Sequence, residues 1–268
     1  MKQIITNADG ERIAVLINQP KLAQGLVFVA HGLGAHKEQL HIETLARSFI
    51  NKDYVVIRYD ARKTIGESDG DLLDATLSAY FADFQTVVNW ASHQPWYIEP
   101  FIACGHSLGA ACSVLFAQKY PTRVKALVLL SLLTSGKRFE ADLHPSELES
   151  WKKTGIREWI SSTRPDVVKR VKWSFMEDAY QYELLENLKM IVMPTLLIVG
   201  SKDDVTPPDL QQEFYDLIPV IDKKLHLIQG SEHTFQEPKH LWEIKQVVGR
   251  WLEELAIKEG SNFLPHSQ

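Results

Sequence analysis

The stretch Phe101-Ile102-Ala103-Cys104-Gly105-His106-Ser107-Leu108-Gly109-Ala110-Ala111-Cys112-Ser113-Val114-Leu115-Phe116-Ala117 decides how this chain folds. Four apolar residues lead into Gly-His-Ser-Leu-Gly, and a run of small and apolar residues follows. The pattern predicts a strand, a sharp turn with a serine at its apex, and a helix. Glycines on both sides of the apex let strand and helix approach closely, because neither carries a Cβ. A serine there is pushed into the open beside a helix N-terminus, whose backbone N–H groups lack intrahelical partners.

Strand-like and helix-like segments alternate along most of the chain, the rhythm of βαβ units and a parallel sheet. Residues 26–30 and 54–59 are continuous apolar runs, as in strands buried on both faces. Between them Ile42, Leu45, Ala46, Phe49 and Ile50 recur at helical spacing. Tyr80, Phe81, Phe84, Val87, Val88 and Ala91 repeat that spacing before the serine strand. Residues 126–130, 194–200 and 224–228 predict later strands, and Leu241, Ile244, Val247, Val248, Trp251, Leu252 and Leu255 predict a closing amphipathic helix. An early edge strand is expected at 13–17, after the turn-forming Asn7-Ala8-Asp9-Gly10. The fold class is α/β, with a mostly parallel central sheet and helices on both faces.

The rhythm breaks at residues 135–189. No strand signal is evident there, and ten basic and ten acidic residues suggest a solvated helical layer. Ser146-Glu147-Leu148-Glu149 reads as a helix N-terminal capping box. Trp151, Ile156, Trp159 and Ile160 predict one apolar helix face; Val167, Val168, Val171 and Phe175 predict another, with Pro165 between the two helices. The expected organisation is a core of 1–134 and 190–259, an inserted helical cap at 135–189, and a disordered tail at 260–268. Trp151, Trp159, Trp173 and Phe175 are candidate substrate contacts, with packing inside the cap as the competing role.

A formal charge of −5 disfavours nucleic acid as a partner. No run of about 18 apolar residues exists, so no membrane span is expected. The first ten residues lack the apolar core of a secretory signal. Cys104 and Cys112 lack metal-ligand spacing, and a disulfide between them would distort the serine turn. Both read as small buried hydrophobes in a reducing cytoplasm.

A serine hydroxyl needs a base within hydrogen-bond reach, and that base needs an orienting acid. The base should follow one of the last strands, since all parallel strands end on the same side. Gly230-Ser231-Glu232-His233-Thr234-Phe235 directly follows the run at 224–228, which makes His233 the candidate. Gly200-Ser201-Lys202-Asp203-Asp204-Val205-Thr206-Pro207, after the run at 194–200, supplies the acid from Asp203 or Asp204. Two backbone N–H groups should receive the charge that develops on a carbonyl under attack. One is that of Leu108, next to the nucleophile. The other is assigned to Leu33, in the His31-Gly32-Leu33-Gly34 loop after an early central strand. His31 is expected to brace that loop, and His106 to pack behind the serine.

Taken together, these segments with Tyr59-Asp60 and Gly66-Glu67-Ser68-Asp69-Gly70 resemble the α/β-hydrolase superfamily over nearly the whole chain. The likeness extends to carboxylesterases of the feruloyl/cinnamoyl-esterase type and to the related monoacylglycerol-lipase and serine-aminopeptidase-like branch. The resemblance implies the α/β-hydrolase fold with an inserted cap, and the chain order Ser107, Asp203, His233 for a catalytic triad. Relatives place the acid three residues after the glycine, which favours Asp203, and leaves Asp204 to cap the helix starting near Pro207-Pro208. They also show Asp-x-Arg-Gly-x-Gly-x-Ser where this chain has Asp60-Ala61-Arg62-Lys63-Thr64-Ile65-Gly66-Glu67-Ser68, one residue longer and without the first glycine. The Gly-Gly-Pro-Gly loop of proline iminopeptidases is missing, and serine rather than aspartate at the apex disfavours dehalogenase and epoxide hydrolase chemistry. The implied activity is hydrolysis of small-molecule carboxylic esters with small to medium acyl groups through an acyl-enzyme, with no cofactor and no metal. Thioesterase or acyltransferase action on the same triad, or a ligand-binding protein on this fold, are the alternatives.

Overall fold

A computed structural model describes residues 1–262. The chain begins with β1 (Lys2–Thr6), β2 (Arg12–Asn18) and β3 (Gly25–Ala30), then α1 (Leu40–Ile50), β4 (Tyr54–Tyr59) and α2 (Leu77–Ala91). β5 (Phe101–His106), α3 (Leu108–Lys119) and β6 (Val124–Leu130) follow. Residues 135–189 lie between β6 and the resumption of the sheet. They hold α4 (Gly136–Asp142), α5 (Pro145–Thr154), β7 (Ile156–Ile160), β8 (Val168–Lys172) and α6 (Ser174–Ala179). β9 (Thr195–Gly200), α7 (Pro208–Leu217), β10 (Lys223–Ile228) and α8 (Pro238–Asn262) complete the described chain.

Eight strands form one sheet in the order β1-β2-β4-β3-β5-β6-β9-β10. The six strands from β4 to β10 in that order run parallel, and β2 pairs antiparallel with both β1 and β4. β3, β4, β5 and β9 are buried along their whole length, as their largely apolar sequences predict, with Arg58, His106 and Thr195 as buried polar exceptions. α1 and α8 cover one face, where Ile42, Leu45 and Phe49 meet Ile244, Val248 and Trp251 in one apolar cluster. α2, α3 and α7 cover the other, with Tyr80, Phe84, Val114 and Phe214 in a second cluster. The α/β class, the mostly parallel sheet and the two helical layers are those expected from the sequence.

Four expectations need correction. Residues 13–17 lie in β2, an interior strand; the edge strand is β1, joined to β2 by the turn at 7–10. The exposed positions of β1 carry Lys, Gln, Ile and Thr, and only Ile5 is buried, so its apolar signal is weak.

The segment at 135–189 is not wholly helical. α5 ends at Gly155, which adopts the left-handed conformation (φ 74°), and β7 and β8 form an antiparallel hairpin. Ile156, Trp159 and Ile160 fit helical spacing, but Ile156, Ile160, Val168 and Val171 are β-branched and favour the pleated form. The residues 161–166, Ser-Ser-Thr-Arg-Pro-Asp, supply the loop. α5 also starts earlier than the capping-box reading: Pro145 is its first residue, and the His144 ring accepts from the Ser146 N–H. In the hairpin Ile156, Glu158 and Ile160 are exposed along β7, and Val168, Arg170 and Lys172 along β8. Arg157, Trp159, Lys169 and Val171 form the inner face, with Trp159 directly opposite Lys169. In the expected tail, residues 260–262 belong to α8, and 263–268 lie outside the described residues.

Candidate active site

Ser107 sits between β5 and α3 with φ 53° and ψ −117°, a backbone conformation strained for any residue with a side chain. Backbone bonds hold the turn. The Ser107 N–H donates to the Leu130 carbonyl at 2.9 Å, and the Ser107 carbonyl accepts from the Ala111 N–H at 3.0 Å. The flanking glycines have no room for a side chain. A Cβ at Gly105 would lie 2.4 Å from the Gly109 carbonyl, and one at Gly109 would lie 2.4 Å from the Ala30 carbonyl oxygen. Close packing of β3, β5 and α3 therefore fixes the apex.

The loops after β9 and β10 are stitched together. The Lys202 N–H donates to the Ser231 carbonyl at 2.9 Å, and the Gly230 N–H donates to Ser201 Oγ at 2.8 Å. That junction brings His233 Nδ1 within 2.9 Å of both Asp203 carboxylate oxygens. The Val205 and Thr206 N–H groups donate to Asp203 Oδ1 at 3.0 and 2.9 Å, and Thr206 Oγ1 donates to Oδ2 at 3.1 Å. Burial alone would raise the Asp203 carboxyl. Its attraction to His233 and the hydrogen bonds it receives outweigh burial and hold it below the usual carboxylate range. Asp204 is exposed and makes no contact of this kind. It does not cap α7 either: the cap position is Pro207, and no side chain bonds the helix start.

His31 and His106 support the two sides of the site. His31 Nε2 accepts from the Ala61 N–H at 3.0 Å, so its proton is on Nδ1, which donates to the Gly32 carbonyl at 2.8 Å. The imidazole thus ties the loop carrying Leu33 to the end of β4. His106 Nε2 donates to the His233 carbonyl at 2.8 Å, and its ring lies 4.7 Å from that of His233. The loop after β4 is held by Asp60, whose carboxylate accepts from the Lys37 N–H and from Lys37 Nζ, both at 2.7 Å. Lys63, at the position where relatives carry a glycine, takes the left-handed conformation (φ 58°) that glycine would adopt freely.

Ser107, Leu33, Leu108 and His233 all line one cavity of about 270 Å³. Among the described residues the N–H groups of Leu33 and Leu108 have no hydrogen-bond acceptor within the protein. Phe139, Phe175, Leu133 and Trp159 give the cavity its apolar wall. Of the four aromatic candidates, Trp159 and Phe175 reach this space. Trp151 and Trp173 do not: Trp151 is buried in the inserted segment's own core, stacked on Phe175, and the half-buried Trp173 packs edge-on against it at 5.3 Å.

The family model described as serine aminopeptidase, S33, matches residues 21–239. The chain belongs to the serine aminopeptidase (S33) family. Among curated relatives, this S33 chain is 24% identical over 222 residues to the mouse mitochondrial palmitoyl-protein thioesterase ABHD10, covering 80% of this chain and 70% of that protein. It is 23% identical to rat monoglyceride lipase, covering 97% and 93%. Among solved structures it resembles Est1E from Butyrivibrio proteoclasticus, bound there to ferulic acid, with a TM-score of 0.80 at 20% identity over 96% of this chain and 99% of that one. Mouse α/β hydrolase domain-containing protein 10 follows at 0.78 and 18%, over 95% and 99%. The protein is a hydrolase of the α/β-hydrolase type.

The sequence reading missed several residues of the S33 cavity: Gln39 and His41 at the start of α1, and Arg157 and Lys169 on the hairpin. Only strand alternation in the hairpin could have pointed to the last two. His41 packs edge-on against His106 at 4.3 Å, and neither of its ring nitrogens has a hydrogen-bond partner among the described residues.

Three buried histidines therefore stay neutral in the folded state. Burial lowers His31, His41 and His106, His41 to about 3. Unfolding frees each to take up a proton once the pH falls below about 6.5. The contribution to stability is thus full above that pH and is lost as the pH falls through the depressed range, at up to roughly 1.4 kcal/mol per pH unit for each histidine. Urea unfolding at pH 7.5 and pH 5.0 should give a clearly smaller unfolding free energy at the lower pH. Equal values would contradict neutral burial of these rings.

Proposed function

We propose that the protein hydrolyses carboxylic esters of small to medium acyl groups, with Ser107 as nucleophile, His233 as general base and Asp203 as the acid that orients it. One observation carries the reading. A serine on a strained apex after β5 and a histidine after β10, 2.9 Å from a buried carboxylate, face the same cavity from one edge of the sheet. In the proposed sequence Ser107 Oγ attacks the acyl carbon while its proton passes to His233 Nε2. The oxyanion is held by the N–H groups of Leu33 and Leu108. Asp203 fixes the tautomer and stabilises the imidazolium. Collapse expels the alcohol, which leaves with the proton from His233. Water then attacks the acyl-enzyme, gives its proton to His233, and the acid departs as Ser107 recovers its hydrogen. None of these steps calls for a cofactor.

A cavity of about 270 Å³ lies at the small end of ligand sites and favours short or medium acyl chains. The missing Gly-Gly-Pro-Gly loop supports ester over peptide cleavage. Thioester cleavage on the same groups is the second reading, supported by the similarity to a palmitoyl-protein thioesterase. A p-nitrophenyl ester series from acetate to decanoate, run beside acyl-coenzyme A thioesters and with added alcohol, tests the assignment. The expected result is free acid as product, with the highest kcat/KM on a short or medium oxygen ester. A thioester preferred more than about tenfold would move the assignment to thioesterase. Transfer to the alcohol in preference to water would make it an acyltransferase. No turnover of any acyl donor would contradict catalysis.

A further inference from the structure

The hairpin of β7 and β8 contributes its inner face to the cavity wall, and that face carries a cation without a partner among the described residues. Lys169 is 6% exposed and lines the cavity beside Trp159, its cross-strand neighbour. Its methylenes lie against the loop that carries Leu33: a Cβ added to Gly34 would sit 3.1 Å from Lys169 Cδ. Among the described residues no carboxylate pairs with Lys169 Nζ and no group accepts a hydrogen bond from it. Arg157, the other cation of the wall, is already committed. Its Nε donates to Glu147 Oε1 at 2.6 Å, and its guanidinium stacks over Phe139, Trp151 and Trp159 at 5.3–5.6 Å. The acidic residues that reach the cavity, Asp204 and Glu232, are solvent-exposed. Burial with no compensating charge brings the Lys169 ammonium down to about 8. Its positive field is felt by His41, in the same cavity.

A buried ammonium without a partner is costly, and buried charges are ordinarily paired. Here the charge belongs to a residue that lines the cavity. We infer that Lys169 anchors an anion subsite, and that the preferred ester carries a carboxylate besides the bond that is cleaved. The inference rests on the proposed ester hydrolysis and narrows its substrate class. Trp159 and Phe175 hold the apolar part of such a molecule, and Lys169 takes its charged end in a charge-assisted hydrogen bond. The same ammonium would repel the free amino terminus of an aminopeptidase substrate.

Two matched pairs of substrates test this, one charged on the acyl side and one on the alcohol side. They are mono-4-nitrophenyl adipate against methyl 4-nitrophenyl adipate, and 4-carboxyphenyl butyrate against 4-carbamoylphenyl butyrate. In one pair the anion should be preferred by about tenfold or more in kcat/KM. That ratio should fall by about the same factor in Lys169→Met and reverse in Lys169→Glu. Lys169→Gln gives the comparison if Lys169→Met does not fold. No preference in either pair, or a preference that survives loss of the ammonium, overturns the inference. Binding without turnover is read separately by tryptophan fluorescence, with monomethyl adipate and dimethyl adipate titrated into Ser107→Ala. Tighter binding of the monoanion, lost in Ser107→Ala with Lys169→Met, upholds the subsite even if no ester is hydrolysed. Turnover of neutral esters with no selectivity for the anion in either assay leaves the hydrolase reading standing and removes the subsite.

Discussion

Ser107→Ala is expected to lower kcat on p-nitrophenyl butyrate by about six orders of magnitude, the scale seen when a nucleophile that works as one unit with its base is removed. The variant keeps the histidine, the carboxylate and the N–H groups of Leu33 and Leu108, but nothing can form the acyl-enzyme. Residual rate would come only from oxyanion stabilisation and binding, which leave about 10³–10⁴ over the uncatalysed reaction in comparable enzymes. Folding should persist, because the turn is held by backbone bonds and by the close approach of Gly105 and Gly109, none of which uses the hydroxyl. Steady-state kinetics with a melting curve on the same sample checks both points. A kcat within tenfold of the parent would show that another group attacks the ester.

The second large effect is expected at Asp203. Asp203→Asn keeps the shape of the side chain but replaces a charge that accepts from Val205, Thr206 and the His233 ring. An amide NH₂ facing His233 Nδ1 would favour the tautomer with its proton on Nε2, which cannot accept from Ser107. A loss of about four orders of magnitude in kcat follows from that inversion. Asp204→Asn, on an exposed side chain at the cavity rim, should cost far less. Kinetics on the two variants in parallel gives the ranking, and the reverse order would mean that the orienting acid has been misassigned.

The sheet was legible because strands buried on both faces are largely apolar, and those at 26–30, 54–59 and 194–200 stood out from their surroundings. The serine apex was legible because its geometry tolerates few residues: glycine is the only residue that fits beside the Ala30 carbonyl. Asp203 and His233 could be placed because strand ends on one edge face the same space, whatever their separation in sequence. The inserted segment was not legible in the same way. Ile156, Trp159 and Ile160 satisfy a helical period while sitting in a five-residue strand, and a run that short does not separate the two periods. Trp151 and Trp159 have the same composition signal, yet one lies in the segment's own core and the other on the cavity wall. That difference is set by the turn at Gly155, which changes the period from 3.6 to 2 between them. In sequence Lys169 belongs to a solvated charged layer, because nothing in its neighbours announces that alternate residues of β8 turn inward.

In the proposed mechanism Ser107 is activated by the His233–Asp203 pair. The most direct measurement is mass-spectrometric mapping of the folded protein after reaction with a fluorophosphonate. A single adduct on Ser107, abolished in His233→Ala and strongly slowed in Asp203→Asn, is the predicted result. An unlabelled Ser107 in protein that still hydrolyses esters, or labelling that does not depend on His233, would contradict it.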